Sequence, residues 1–289
     1  MEIIVGKTAG FCHGVKRAVE GTKQELAKYS KKVYCLGEIV HNKQVIEELE
    51  EEGLTIIEKW QEAKGKIIIR AHGVAKTIEQ EMRQAKLIVK DYTCPKVKAI
   101  HQLAEQYSQN GYYVFLLGTR NHPENLGTIS YCQNQFTVIE EETEVDKAIQ
   151  ELKQLPYHKL LVIAQTTYSY AKFEKIKIMI EQQIGHEIEV VIKNTICKAT
   201  ELRQKETAEL TKQVDQMIIV GGKNSSNTRK IYEIAKQENE QTIWVETEKE
   251  LEGICIEGEK IGIMAGASTP SSSIEKVINK IRESQLIHA

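Results

Sequence analysis

No apolar run in the 289 residues approaches the ~18 that a membrane-spanning helix requires, and the opening residues MEIIVGK read as a strand without the layout of a signal peptide. A cytoplasmic protein is therefore expected. Charge of one sign is equally scarce: 39 Lys and Arg against 41 Asp and Glu leave a formal net charge of -2, with Lys and Glu interleaved on helix faces. That balance gives nucleic-acid binding no support. The six cysteines include no C-x-x-C pair, and in a reducing compartment they do not form a disulfide framework. No G-x-G-x-x-G stretch is present, so neither a flavin nor a nicotinamide fingerprint is available. No Pro/Gly/Ser linker divides the chain, and no coiled coil or exposed apolar helix argues against a monomer.

What the sequence does hold is a rhythm of short apolar run, polar or glycine-bearing loop, and amphipathic helix. Runs occur at 3–5, 33–36, 66–70, 87–89, 112–117, 160–164, 189–192, 217–220, 242–245 and 261–265. Most are apolar at every position, as expected of strands covered on both faces. Helix-period stretches such as HNKQVIEELEEEG and SSIEKVINKIRE lie between them. The alternation predicts parallel α/β sheets.

Cys12 in AGFCHGVKR follows the first run and precedes a helix, with Gly10 and Gly14 expected to turn the backbone around it. Cys94 in DYTCPKV and Cys197 in NTICKAT repeat the arrangement. A thiolate at such a junction faces a helix N-terminus, which favours anions. These cysteines part the chain into near-equal thirds, which fits three α/β units each handing one sulfur to a shared centre. Cys35 in VYCLG and Cys255 in GICIE lie in strand-like runs and read as packing residues; Cys132 carries no motif.

Ligands of open parallel sheets bind beyond the carboxyl ends of the strands. The residues there include Glu38, His41 and Asn42; His72; His122 and Glu124; Gln165, Thr166 and Thr167; Ser225, Ser226 and Asn227 after Gly221 and Gly222; and Ser268 and Thr269. By contrast His101 lies on a helix, and His158 and His186 in short loops. The GGKNSSN and AGASTPSSS loops serve either as helix N-caps or as phosphate cradles. With several loop histidines they suggest an anion rich in oxygens, such as a diphosphate. Glu124 is the carboxylate embedded in this set. It is either an ordinary helix-start residue or a proton relay whose pKa burial raises, with Thr166 and Thr167 orienting it or the substrate. Three converging thiolates hold zinc or an iron–sulfur cluster. The residues alone thus leave open a zinc-dependent hydrolase of a phosphorylated metabolite, a non-enzymatic iron–sulfur sensor, and a reductase.

The motifs GFCHGV, EIVHN, RAHGV, DYTCP, NHPE, QTT, NTICKAT, KNSSN and AGAST, in this order from residue 10 to about residue 273, resemble those of the 4-hydroxy-3-methylbut-2-enyl diphosphate reductase family. The resemblance implies three small parallel-sheet α/β domains around a pseudo-threefold axis: 13–94, 95–193 and 194–289, with 1–12 joining the sheet of the third. It implies one central [4Fe–4S] cluster held by Cys12, Cys94 and Cys197, with one iron open to substrate. It implies that His41, His72, Ser225, Ser226, Asn227 and Ser268 hold the substrate diphosphate, with His122 substrate-binding beside the same pocket, while Glu124 with Thr166, beside Thr167, handles the substrate hydroxyl. The activity implied is two-electron reductive dehydration to isopentenyl and dimethylallyl diphosphate, the last step of the methylerythritol phosphate route to isoprenoids. The electrons would come from a partner such as flavodoxin or ferredoxin. His13 and Lys16, beside Cys12, occupy positions that vary in the family.

Overall fold

The computed structural model describes residues 1–133 and 135–288, the last four of these as backbone only. In chain order the strands are β1 (Glu2–Val5), β2 (Val33–Leu36), β3 (Leu54–Ile57), β4 (Lys66–Ile69), β5 (Ile88–Asp91), β6 (Tyr113–Leu117), β7 (Phe136–Ile139), β8 (Lys159–Ala164), β9 (Glu189–Ile192), β10 (Gln216–Val220), β11 (Ile243–Val245) and β12 (Lys260–Ala265). The helices are α1 (His13–Lys28), α2 (Lys43–Glu51), α3 (Lys76–Gln84), α4 (Pro95–Gln109), α5 (Pro123–Ile129), α6 (Val145–Lys153), α7 (Tyr170–Gln183), α8 (Lys198–Thr211), α9 (Ser226–Glu238) and α10 (Ser271–His288).

Every strand pairing is parallel, and the strands form three four-stranded sheets: β3-β2-β4-β5, β7-β6-β8-β9 and β11-β10-β12-β1. The expected α/β class of three parallel sheets is thus what the chain adopts. One order repeats in each sheet. The first strand of a set lies second from one edge, the second covers that edge, the third is central, and the fourth forms the far edge. In the third sheet the fourth place is filled by β1, which pairs with β12 from Glu2 opposite Lys260 to Val5 opposite Ile263.

The central strands show why these runs fold so. All five residues of β6 and of β10 are buried, as are positions 67–69 of β4, 160–164 of β8 and 261–265 of β12. Each Val, Leu or Ile so removed from water contributes ~1.5–3 kcal/mol, and continuous apolar runs are what two covered faces demand. The edges are less covered. In β1 both ends are exposed, Val5 by 40%, so the run before Cys12 is a half-exposed edge strand and not a buried one.

Two strands lie outside the ten apolar runs. LTII (β3) and FTVI (β7) each carry a threonine and cover the same edge of their sheets, where one side of the ladder faces no neighbour and apolar content is relaxed. Cys255 is exposed, outside any strand, with Sγ 3.2 Å from a Glu257 carboxylate oxygen; the alternation in GICIE belongs to a loop and the packing role assigned to it is wrong. Cys35 and Cys132 are buried packing residues whose thiols burial pushes up to about 12.

The residues pack into two compact units. Of the described residues, one unit comprises 1–19, 40–48 and 198–288 and contains the β11-β10-β12-β1 sheet; the other comprises 20–39, 49–133 and 135–197 and contains the remaining two sheets. Among the described residues no helix is long and apolar enough to cross a membrane.

Candidate functional site

The three cysteines occupy one position in the repeated topology. Cys12 follows β1, Cys94 follows β5 and Cys197 follows β9, each beyond the fourth strand of its sheet and ahead of a helix. In each case the cysteine N–H donates to a carbonyl in the loop beyond the central third strand: Cys12 to Ala267 at 3.1 Å, Cys94 to Ala71 at 2.9 Å and Cys197 to Thr166 at 3.0 Å. None of the three is in a disulfide, and all are half-buried. Gly10, at φ +97°, makes the turn into Cys12, and the Val15 N–H donates to Cys12 Sγ at 3.5 Å. Gly14 does not share that role, because it lies within α1. Cys94 is the N-cap residue of α4, followed by Pro95, whose missing N–H costs nothing at a first turn.

In the larger unit the candidate residues gather around a buried acid. His122 caps α5, its Nδ1 accepting the Glu124 N–H at 3.2 Å, so in the neutral ring the proton sits on Nε2. The His72 and His122 rings meet edge to face with centroids 5.5 Å apart. Glu124 is 2% exposed, and its carboxylate accepts from the Thr166 N–H and the Thr166 hydroxyl, both at 2.6 Å. Burial pushes its pKa up to about 7, while the side-chain and backbone hydrogen bonds from Thr166 hold it back from rising further. A carboxyl balanced near neutrality can both hold and release a proton at working pH.

Thr167 is fixed by residues that the motif reading gave no task. Gln165, buried, donates from Nε2 to the Thr167 hydroxyl at 2.8 Å, while its Oε1 accepts from the Thr119 N–H at 3.0 Å and from Asn125 Nδ2 at 2.9 Å. Asn125 Nδ2 in turn donates to the Thr119 carbonyl at 2.8 Å. The network ties the loop beyond β6 to the loop beyond β8. Gln165 opens the quoted QTT motif and Asn125 directly follows NHPE, so their position was visible but not their pairing. His101 is likewise more than a helix-surface residue: it is 5% exposed, burial pushes its pKa down to about 4, and it stacks on Tyr131 with centroids 4.6 Å apart.

In the other unit, donors gather without a buried acid. Ser225 caps α9, its Oγ accepting the Thr228 N–H at 3.3 Å, so the N-cap reading of this loop is realised while the Ser225 proton remains available to a ligand. Ser225 and Asn227 are buried and Ser226 is half-buried in the first turn. The Ser268 hydroxyl donates to the His41 carbonyl at 3.0 Å. That carbonyl lies 2.7 Å from where a β-carbon on residue 222 would stand, so only glycine admits this approach. His41, residues 222–227 and Ser268 thus form one group. Asn227 Oδ1 accepts from the Ala267 N–H at 3.0 Å and from Arg203 Nη1 at 3.3 Å, and its Nδ2 is buried with no hydrogen-bond partner.

A family model described as LytB protein matches residues 3–282. The chain belongs to the LytB family. Its curated relatives include the 4-hydroxy-3-methylbut-2-enyl diphosphate reductase of Alkaliphilus oremlandii, 38% identical over 286 residues that cover 97% of this chain and 99% of the relative. The enzyme of that name from Aquifex aeolicus is 40% identical over 288 residues, covering 98% and 96%. Among solved structures, (E)-4-hydroxy-3-methyl-but-2-enyl diphosphate reductase, the terminal enzyme of the non-mevalonate pathway, matches with a TM-score of 0.70 at 38% identity over 98% of this chain and 100% of that one. The E-1-hydroxy-2-methyl-but-2-enyl-4-diphosphate reductase of Plasmodium falciparum matches with a TM-score of 0.85 at 29% identity, covering 96% and 87%. The LytB membership expected from the motifs therefore holds along nearly the whole chain.

Proposed function

We propose that the protein is a 4-hydroxy-3-methylbut-2-enyl diphosphate reductase, an iron–sulfur oxidoreductase of the last step of the non-mevalonate isoprenoid pathway. The observation that carries this reading over a hydrolase or a sensor is the LytB family match along residues 3–282, within which the buried Glu124–Thr166 pair offers a proton donor of near-neutral pKa.

The donor set suits an iron–sulfur cluster: three half-buried cysteines outside any disulfide stand at equivalent junctions, while Cys35 and Cys132 are kept as neutral thiols by burial. In this reading Cys12, Cys94 and Cys197 hold one [4Fe–4S] cluster, and 13–94, 95–193 and 194–289, the last completed by 1–12, are its three domains. Bound there, such a cluster supplies electrons and, at the iron without a cysteine, a Lewis-acid position open to substrate.

The remaining steps belong to the chain's own side chains. Ser225, Ser226, Asn227 and Ser268, with His41 and His72, bind the diphosphate through hydroxyl, amide and imidazole donors, and His122 lines the substrate pocket beside them. Thr166 orients Glu124 and, with Thr167, the substrate hydroxyl. Glu124 delivers a proton to that hydroxyl as the C–O bond breaks and water leaves. Two electrons and a second proton at carbon complete the balance, giving isopentenyl or dimethylallyl diphosphate. The electrons come from a small reduced carrier of the flavodoxin or ferredoxin class, and the enzyme works in the cytoplasm as a monomer. The test is an anaerobic assay with the hydroxylated C5 diphosphate and a strong artificial reductant. Both C5 diphosphate products are expected; metal-bearing protein that gives no turnover would favour the sensor, and diphosphate hydrolysis without reduction the hydrolase.

A further inference from the structure

Arg203 lies in α8, one to two turns beyond Cys197, and is 3% exposed. Taking a guanidinium out of water costs several kcal/mol unless its donors are matched. Here Nε and Nη2 donate to the Thr8 carbonyl at 2.9 and 2.6 Å, and Nη2 also donates to the Gly10 carbonyl at 2.8 Å. One turn along the same helix, the Glu206 carboxylate accepts the N–H groups of Lys7 and Thr8 at 2.6 and 2.8 Å and the Thr8 hydroxyl at 2.5 Å. The guanidinium is thereby held on two sides, and its remaining nitrogen, Nη1, reaches Asn227 Oδ1 at 3.3 Å.

That last contact decides which way the Asn227 amide faces. With Arg203 Nη1 and the Ala267 N–H both donating to one end, that end must be the oxygen, and the NH2 must point the other way. The NH2 is buried without a protein acceptor. An amide left so is destabilising, and an acceptor-rich ligand removes that penalty. We propose that Arg203 is a positioning residue for the anion site: it locks the Asn227 amide so that Nδ2 is presented as a donor to the diphosphate. The inference rests on the assignment of residues 225–227 to the diphosphate cradle. It concerns orientation, not charge, because a lysine keeps the charge and loses the fork that reaches three acceptors at once.

The test is a double-mutant cycle on the affinity of the anaerobically purified protein for inorganic diphosphate, measured by calorimetry. Arg203→Lys and Asn227→Ala should each weaken binding about tenfold, the loss of one hydrogen bond to a charged acceptor. The double variant should bind within about twofold of Asn227→Ala, since Arg203 acts through the amide. With the C5 substrate, Arg203→Lys should raise KM by the same factor and leave kcat within about threefold. Asn227→Asp covers the case in which Arg203→Lys fails to fold. Its carboxylate satisfies Arg203 and the Ala267 N–H but offers no donor, so Tm should hold while diphosphate affinity falls at least tenfold. Undiminished affinity in Arg203→Lys, a double variant about a hundredfold weaker than the parent, or diphosphate binding by Asn227→Asp equal to the parent's would each overturn the proposal. Unchanged affinity in Asn227→Ala would instead overturn the diphosphate cradle itself.

Discussion

The β7-β6-β8-β9 and β11-β10-β12-β1 sheets share one strand order yet carry opposite chemistry beyond their strands. After β6 and β8 stand His122, Glu124 and Thr166, built around a buried carboxyl. After β10 and β12 stand Ser225, Asn227 and Ser268, built around donors that take no proton at neutral pH. Both sheets end their fourth strand in the same way, with a cysteine whose N–H is tied to the loop after the third. The topology thus fixes where a polar group sits, and the residue type decides whether the place holds a buried acid or a set of neutral donors, the division on which the proposed proton-transfer and anion-binding roles rest.

The comparison can be broken most severely at the element the sheets share. Cys197→Ser or Cys12→Ser should each abolish retention of iron and with it all turnover; unchanged iron content and visible absorbance in either variant would remove that cysteine from the ligand set. Next is the acid side. Glu124→Gln should lower kcat by ~10² to 10⁴ and leave inorganic diphosphate affinity within about twofold, and full steady-state activity would refute the proton role. On the anion side Asn227→Ala should mainly raise KM, about tenfold, whereas an unaltered KM with lower kcat would place Asn227 on the acid side of the division.

A smaller effect concerns pH. Burial lifts the Glu124 pKa to about 7, above its ordinary 4.5, so the folded protein holds this proton more tightly than the unfolded chain. The stabilisation is full below pH ~4.5 and is lost as pH rises through ~7, in total roughly 3 kcal/mol. Urea titrations between pH 5 and 8 should show this decline in the parent and not in Glu124→Gln. Thr166→Val removes one of the two bonds that lower the pKa, so the alkaline limb of kcat should move up by about one pH unit; a downward move would contradict the assignment. Ser225→Ala, which removes the α9 cap, should cost ~0.5–2 kcal/mol in stability, checked by Tm.

Much of this was legible before the fold. Continuous apolar runs marked the buried central strands because nothing else tolerates two covered faces, and the loops after them held nearly all the candidate residues. β3 and β7 were missed for the complementary reason: as edge strands they admit threonine, and no candidate loop follows them. Cys255 misled because alternation alone does not distinguish a strand from an exposed loop. The neutral-range acid was legible as a possibility, but the two bonds from Thr166 that set its balance join residues 124 and 166 through the fold. Arg203 was not legible, because a buried arginine in a helix leaves no local pattern when its partners are carbonyls of residues 8 and 10.

The central claim is that equivalent cysteines beyond the fourth strand of each sheet hold one iron–sulfur cluster. Iron and acid-labile sulfide determined on anaerobically purified protein, alongside the single Cys12, Cys94 and Cys197 serine variants, test it most directly. The expected result is a brown protein with about four iron and four sulfide per chain, and a loss of both in each variant. A colourless protein carrying zinc, or full iron and sulfide retained in any one variant, would contradict it.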